Sequence, residues 1–103
     1  MGLFIDNHDN KRFLENVKDH TRFESALVAI HTWIGIPYLY YGTEQDMTGG
    51  SDPDCRKPLW TYGYNESFGT YKFIQNLNKL RDRLRGFDGS EAVVFGRPFL
   101  CVL

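Results

Sequence analysis

Residues 6–10, with the sequence Asp-Asn-His-Asp-Asn, place two carboxylates, two amides and one imidazole side by side. They follow a short apolar segment, residues 3–5, that is typical of a β-strand. Open α/β sheets and barrels build their active sites at the carboxyl ends of their strands. The pattern therefore predicts a site at the end of a first strand, with His8 and Asp9 as candidate residues.

A second polar segment, residues 43–65, is rich in glycine, proline and acids and reads as a long loop. Loops of this length are uncommon in a compact domain unless they are functional. Within it, Asp52 and Arg56 could form an ion pair, which would contribute little at a surface. No two acids of the chain make a persuasive pair of general acid and nucleophile.

Length and charge bound the protein class. A chain of 103 residues allows one small domain, and a net charge of −1 gives no basic field that would attract nucleic acid. No apolar stretch is long enough to cross a membrane, and residues 1–4 carry no signal-peptide pattern. We therefore expect neither a nucleic acid nor a membrane as partner.

Cys55 and Cys101 lack the spacing of a zinc site, and the sequence leaves open whether they are paired or free thiols. His20 and His31 are expected on a surface or a helix face, and neither has the spacing of a metal ligand.

The elements that would position these residues follow from periodicity and turn signals. The predicted order is strand, helix, strand, long loop and helix, followed by two β-prone segments. Asp19 or Thr21 would cap the first helix, and Pro37 could begin the second strand but not lie within its ladder. The predicted ranges are 3–5, 23–34, 36–41, 43–65, 68–84, 91–95 and 99–103.

A strand–helix–strand–helix order is an α/β unit whose parallel strands need further strands beside them. A barrel of eight such units typically needs about 250 residues, so a chain of this length could hold only part of one.

Three segments resemble α-amylase-type glycoside hydrolases. Residues 4–13 resemble the Asn-His-Asp region of that family, and residues 35–45 look like its final barrel strand. Residues 49–60 are similar to the Gly-Gly-x-Asp-Pro-x-x-Arg loop of secreted fungal-type α-amylases, although Cys55 stands where many relatives have asparagine. The three segments occur in the family's order and spacing.

The resemblance implies a C-terminal fragment of a catalytic (β/α)8 TIM barrel. Residues 1–86 would be its last two βα units, and residues 87–103 would begin an all-β C-terminal domain. The partners implied are an α-1,4-glucan, such as starch or an oligosaccharide, and the remainder of the barrel. The parent enzyme would be extracellular, and calcium, common in the family, would be held mostly by residues outside the matched region.

The resemblance also assigns roles. Asp9 matches the catalytic carboxylate that stabilises the transition state, His8 a contact to the same sugar, and Asp52 with Arg56 a pair that grips sugar hydroxyls. Glu44 matches a position that supports the site without doing chemistry. Tyr38, Tyr40, Tyr41 and Trp60 could stack on sugars but are expected to be structural.

Retaining hydrolysis also needs a nucleophile and a general acid about 5 to 5.5 Å apart, and no position here matches either. The isolated chain is therefore expected to be inactive. The alternatives are a related α-glucosidase or glucanotransferase as parent, or a non-catalytic carbohydrate-binding or interaction remnant.

Overall fold

The computed structural model describes residues 1–84. Within that range the elements follow the predicted order of strand, helix, strand and helix, with a short additional helix after the first strand. The two β-prone segments predicted at 91–95 and 99–103, and Cys101 with them, lie outside the described residues.

Two short parallel strands form the sheet. Strand β1 (Gly2–Leu3) pairs with β2 (Ile36–Pro37), with Gly2 opposite Ile36. The N–H of Ile36 donates to the Met1 carbonyl at 2.9 Å, and that of Tyr38 donates to the Leu3 carbonyl at 2.7 Å. Both strands are shorter than predicted because they lie side by side for only two residues.

The expectation that Pro37 could not lie within the ladder is wrong, since Pro37 is paired opposite Leu3. In a parallel ladder only alternate residues of a strand donate toward a given neighbour. The donors toward β1 are Ile36 and Tyr38, on either side of the proline. The missing N–H of Pro37 therefore costs this pairing nothing.

Helix α1 (Phe13–Asn16) is a single turn that the sequence did not predict, because four residues are too few to show a helical period. Helix α2 (His20–Thr32) connects the two strands. The Asp19 carboxylate accepts the backbone N–H of Thr21 at 3.0 Å, which confirms Asp19 as the capping residue. The helix ends two residues earlier than predicted.

Helix α3 (Gly69–Arg83) covers almost the whole predicted range 68–84. It packs against α2 through a cluster of buried apolar side chains at helical spacing. The core consists of Phe23, Leu27, Ile30, Ile74 and Leu77. No helix within residues 1–84 is long and apolar enough to span a membrane.

Of the two positions expected for His31, a surface or a helix face, the structure shows the second: His31 lies on the buried face of α2, with 1% of its area exposed. Its Nδ1 lies 2.7 Å from the carbonyl oxygen of Leu27, one turn earlier in α2. Arg81 of α3 donates to the carbonyl oxygens of His31 and Gly35 at the end of α2. Burial, helped by the charge of Arg81, lowers the pKa of His31.

The predicted long loop is organised rather than featureless. It contains three short 3₁₀-helices, Thr43–Gln45, Asp54–Arg56 and Leu59–Tyr62. Each is only three or four residues long, which is too short for sequence periodicity to detect. The second of them carries Arg56, so the loop gives this side chain a defined backbone position.

Candidate functional site

All four side chains proposed from the sequence meet at one place in the structure. His8 and Asp9 follow β1, while Asp52 and Arg56 come from the long loop more than forty residues later. The Arg56 guanidinium joins the two segments, with Nη2 lying 3.7 Å from Asp9 Oδ1 and Nε lying 3.2 Å from Asp52 Oδ1. We call these four residues the surface cluster.

A side-chain turn fixes the backbone at Asp9. The amide oxygen of Asn7 accepts the backbone N–H of Asp9 at 2.9 Å and that of Asn10 at 3.1 Å. Asparagine favours such turns because its short side chain reaches the backbone two residues ahead. The Asp9 carboxylate, thus oriented, lies 3.3 Å from Nε2 of His8.

Arg56 also binds the backbone of the first segment. Its Nε donates to the carbonyl oxygen of His8 at 3.0 Å. The same guanidinium therefore contacts main chain and side chain of the segment 8–9 together with the carboxylate of its own loop. This arrangement fixes the spacing between the two segments.

The surface cluster is open to solvent. The exposed side-chain fractions are 63% for His8, 70% for Asp9, 51% for Asp52 and 44% for Arg56. Ion pairs at such exposure contribute little to folding stability. Exposed carboxylate, imidazole and guanidinium groups on a fixed backbone can instead donate to and accept from a ligand rich in hydroxyl groups.

Beneath the cluster lies Arg12, which sequence reasoning missed. Its side chain is completely buried, its backbone N–H donates to the Gly49 carbonyl at 2.9 Å, and its Nε donates to the Cys55 carbonyl at 2.9 Å. In sequence it stands between Lys11 and Phe13 in a charged stretch, which is typical of a surface arginine. Nothing in its local pattern signals burial.

Two tyrosines after β2 stack on this arginine. The guanidinium carbon of Arg12 lies 4.1 Å from the ring centre of Tyr40 and 4.9 Å from that of Tyr41. The hydroxyl of Tyr41 donates to the carbonyl oxygen of Lys57 at 2.9 Å. Both rings therefore have a structural role, as expected for them, although Tyr38 and Trp60 are largely exposed.

Asp6 serves the backbone rather than the surface cluster. It is buried, and its Oδ2 accepts the N–H of Phe13, the first residue of α1, at 3.0 Å. Burial raises the pKa of Asp6, while the Phe13 N–H and the nearby Arg12 oppose that rise. Asp6 also lines a groove of about 530 Å³ beside the strand ends. The groove is lined by Gly2, Phe4, Asp6, Asn7, Tyr38, Leu39 and Tyr40.

Cys55 is buried directly under the cluster. Its thiol donates to the carbonyl oxygen of His8 at 3.4 Å, and its own carbonyl accepts from Arg12. Cys55 thus packs against the backbone of a predicted sugar contact.

The remaining candidates lie apart from the cluster. Glu44 accepts the N–H of Gly42 and faces α3, so its observed contacts do not support the expected role beside the site. His20 is half exposed and lies 3.0 Å from Asp46 and 3.3 Å from Glu24. Within residues 1–84, no group of three or more His, Cys, Asp or Glu side chains is arranged to hold a metal ion.

Comparison with known proteins gives a consistent picture. The family model described as "Alpha amylase, catalytic domain" matches residues 1–86. An α-amylase of Saccharomycopsis fibuligera is 39% identical over 89 residues, which cover 86% of this chain and 18% of that protein. A cyclomaltodextrin glucanotransferase of Bacillus sp. (strain 1-1) is 45% identical over 78 residues, covering 76% of this chain and 11% of the other.

A solved structure has the same arrangement of elements. An α-amylase from Malbranchea cinnamomea superimposes with a TM-score of 0.79 at 34% identity, covering 88% of this chain and 19% of that one. The chain therefore spans less than a fifth of the length of each of these relatives.

Proposed function

Because the chain belongs to the α-amylase catalytic-domain family, we propose that it forms part of a glycoside hydrolase that cleaves α-1,4-linked glucans with retention. In this proposal residues 1–86 are the last two βα units of the (β/α)8 barrel, and residues 87–103 begin the C-terminal β domain. The observed β1–α2–β2–α3 order, with parallel strands, is what two consecutive units of such a barrel require.

One observation carries the proposal: the two segments that the family resemblance singles out meet in space. Asp9 and His8 on one segment face Arg56 and Asp52 on the other, across contacts of 3.0 to 3.7 Å. The cluster lies after β1, where barrels build their active sites. Ion pairs at this exposure add little to folding stability, so stability is a weak explanation for the cluster.

The chemistry follows from the charge that develops during glycoside cleavage. The anomeric carbon acquires positive, oxocarbenium-like character in the transition state. A fixed carboxylate such as Asp9 stabilises that charge, and hydrogen bonds to sugar hydroxyls strengthen as the ring distorts. His8 would bind the same sugar, whereas Asp52 and Arg56 would hold hydroxyls of a neighbouring sugar. Arg56 fixes the distance between these two contacts.

The two carboxyl groups that break the bond would come from other strands of the parent barrel. The 103-residue polypeptide alone is therefore proposed to be inactive, with the remainder of the barrel as its required partner. No step here depends on a metal ion, and calcium in the parent would be bound elsewhere. The parent's extracellular location stays a prediction.

A chimera tests the catalytic part of this proposal. Residues 1–86 would replace the matching segment of the Saccharomycopsis fibuligera α-amylase, which already supplies the rest of an amylase. We expect measurable hydrolysis of a chromogenic maltoside, and a loss of at least about 100-fold in kcat/KM on Asp9→Asn, because this change removes the carboxylate that stabilises the charge formed on the sugar in the transition state.

The chimera's matched control is Asp54→Asn, since Asp54 is an exposed acid of the same loop. We expect it to leave kcat/KM within about twofold of the parent chimera. A chimera that folds and whose activity is unaffected by Asp9→Asn would contradict the assigned role of Asp9.

Product analysis separates the two activities found among the relatives. The similarity to a cyclomaltodextrin glucanotransferase at 45% identity makes transfer the specific rival to hydrolysis. Linear maltooligosaccharides from starch would support hydrolysis, whereas cyclic products would identify a transferase. Sugar binding by the 103-residue chain, with no turnover in any barrel context, would favour the non-catalytic carbohydrate-binding alternative.

A further inference from the structure

We propose that Arg12 is the positioning residue of the sugar site. It would hold the segment 49–57, here called the grip loop, in the position that brings the Arg56 guanidinium to the Asp9 carboxylate. The inference rests on the proposed function for its link to sugar, but its structural part can be tested without any sugar.

Arg12 binds the grip loop near both of its ends. The backbone N–H of Arg12 donates to the Gly49 carbonyl, and the side-chain Nε donates to the Cys55 carbonyl, both at 2.9 Å. At Gly49 the loop is packed so tightly that a Cβ atom would lie 2.3 Å from the carbonyl oxygen of Asp54. One residue thus pins a closely folded loop at two points.

The same side chain ties the grip loop to the second strand. Its guanidinium stacks on Tyr40 and Tyr41, and Tyr41 in turn donates to the Lys57 carbonyl at the far end of the loop. Desolvated cation–π contacts of this kind hold both partners in a fixed orientation. Arg12 therefore connects the end of β2, the start of α1 and the grip loop.

Folding stability alone does not explain why an arginine occupies this buried position. Its side chain donates to one backbone carbonyl, that of Cys55, and to the sulfur of Met47, and its Nη1 has no partner among the described residues. Burying a cation with incomplete pairing is costly, and an apolar side chain could fill the volume. An apolar side chain could not, however, donate to a loop carbonyl. Fixed donors are the property that arginine adds.

Displacement of the Cys55 carbonyl would act directly on the surface cluster. Arg56 is the next residue, and its guanidinium reaches the His8 carbonyl at 3.0 Å and Asp9 at 3.7 Å. Both contacts would be lost if the backbone at Cys55 moved outward by about one ångström or more. Arg12 would thereby set the distance between the two halves of the sugar site without touching sugar.

The thiol of Cys55 reports this docking directly. Cys55 belongs to the grip loop, and its side chain is completely buried against the His8 carbonyl, so the thiol can react only when the loop opens. The experiment uses the 103-residue chain with Cys101→Ser, so that a single thiol is labelled by iodoacetamide. Arg12→Lys keeps the charge but loses the fork of donors, and Arg12→Met loses both. Arg22→Lys is the control, since Arg22 is an exposed arginine of α2.

We expect Arg12→Lys to raise the labelling rate of Cys55 about tenfold and Arg12→Met to raise it further, because local opening exposes the thiol. Arg22→Lys should leave the rate unchanged. The urea midpoint, followed by far-ultraviolet circular dichroism, measures the stability of the packed helices α2 and α3 and not the opening of the grip loop. If the labelling rate of Cys55 rises more than the loss of global stability can explain, Arg12 positions the loop. If Arg12 had a purely structural role, the labelling rate and the urea midpoint would change in proportion.

Binding of maltoheptaose, followed by tryptophan fluorescence or amide NMR, is the second measurement. Affinity should fall about tenfold to a hundredfold in Arg12→Met and less in Arg12→Lys. If Cys55 is protected in the unsubstituted chain and exposed by Arg12→Lys, but the chimera described above neither binds nor cleaves a maltooligosaccharide, the positioning role stands and the proposed function fails. Equal labelling rates in all variants, or a thiol that reacts as fast as in urea, would overturn the inference.

Discussion

Two parts of this protein are held together by different interactions. The packed helices α2 and α3 are here called the helical layer, and the surface cluster with Arg12 beneath it is called the surface layer. Between α2 and α3 the core is a cluster of apolar side chains that includes Phe23, Leu27 and Ile74. Around the surface cluster the buried contacts are those of Arg12 with carbonyl oxygens and tyrosine rings. Folding stability should therefore depend on the first layer and ligand geometry on the second, so mutations should separate the two properties.

The two layers also differ in how completely they are covered. The helices bury their facing stripes, whereas the strand segments leave large apolar side chains in solvent, with Phe4 50%, Ile36 60% and Tyr38 58% exposed. Such surfaces are typical of a face that packs against further structure. This openness agrees with the proposal that the remainder of a barrel covers the sheet.

The largest effect is expected in the helical layer. Leu27→Ala should lower the free energy of unfolding by about 2 to 5 kcal/mol, because Leu27 is completely buried and its truncation leaves a cavity. Urea unfolding followed by circular dichroism measures the change. Leu80→Ala, on the partly exposed side of α3, is the control and should cost much less. If Leu27→Ala and Leu80→Ala lowered the free energy of unfolding equally, stability would not depend on the buried core of the helical layer as proposed.

A second prediction concerns pH and is specific to the helical layer. The pKa of His31 is lowered in the folded state, so the unfolded chain takes up a proton first as pH falls below about 6.5. The contribution of His31 to the free energy of unfolding is therefore fully present above that pH. It is lost as the pH falls from the unfolded-state pKa through the lower folded-state pKa. His31→Gln should flatten the decrease of the urea midpoint between pH 7.5 and 5.5. An unchanged pH dependence in this variant would contradict the buried, neutral imidazole.

The smallest effect on stability is expected in the surface cluster. Asp52→Asn removes an exposed ion pair with Arg56 and should change the free energy of unfolding by no more than about 0.5 kcal/mol. In the same variant, affinity for maltoheptaose should fall about tenfold, since a charged hydrogen-bond partner is lost. Urea unfolding and an NMR titration provide the two values. A large loss of stability with unchanged binding would reverse the proposed division of roles.

Much of the fold could be predicted because its signals are local. The stripe of apolar residues in α3 predicted that helix almost to its ends, and Asp19 was one of two candidate caps for α2. The strand lengths could not be predicted in this way, since each depends on how far its partner runs beside it. His31 shows the same limit, because its burial depends on the packing of α3 against α2.

For the surface cluster too, the sequence predicted some of the residues and missed another. Its members, Asp9, His8, Asp52 and Arg56, were candidates from residue type and family resemblance, and the structure brings all four together. Their assignment as sugar contacts stays a prediction. Arg12, which links the two segments, was not a candidate, because a buried arginine and a surface arginine look alike in a sequence.

By itself the sequence determined the family, the order of the elements and the residues able to do chemistry, because these properties depend on residue type and on spacing along the chain. Only the tertiary structure decided that Arg12 is buried between two tyrosines and a loop, and that Arg56 reaches Asp9. Those facts join residues more than forty positions apart, and contacts over such separations depend on how whole elements pack.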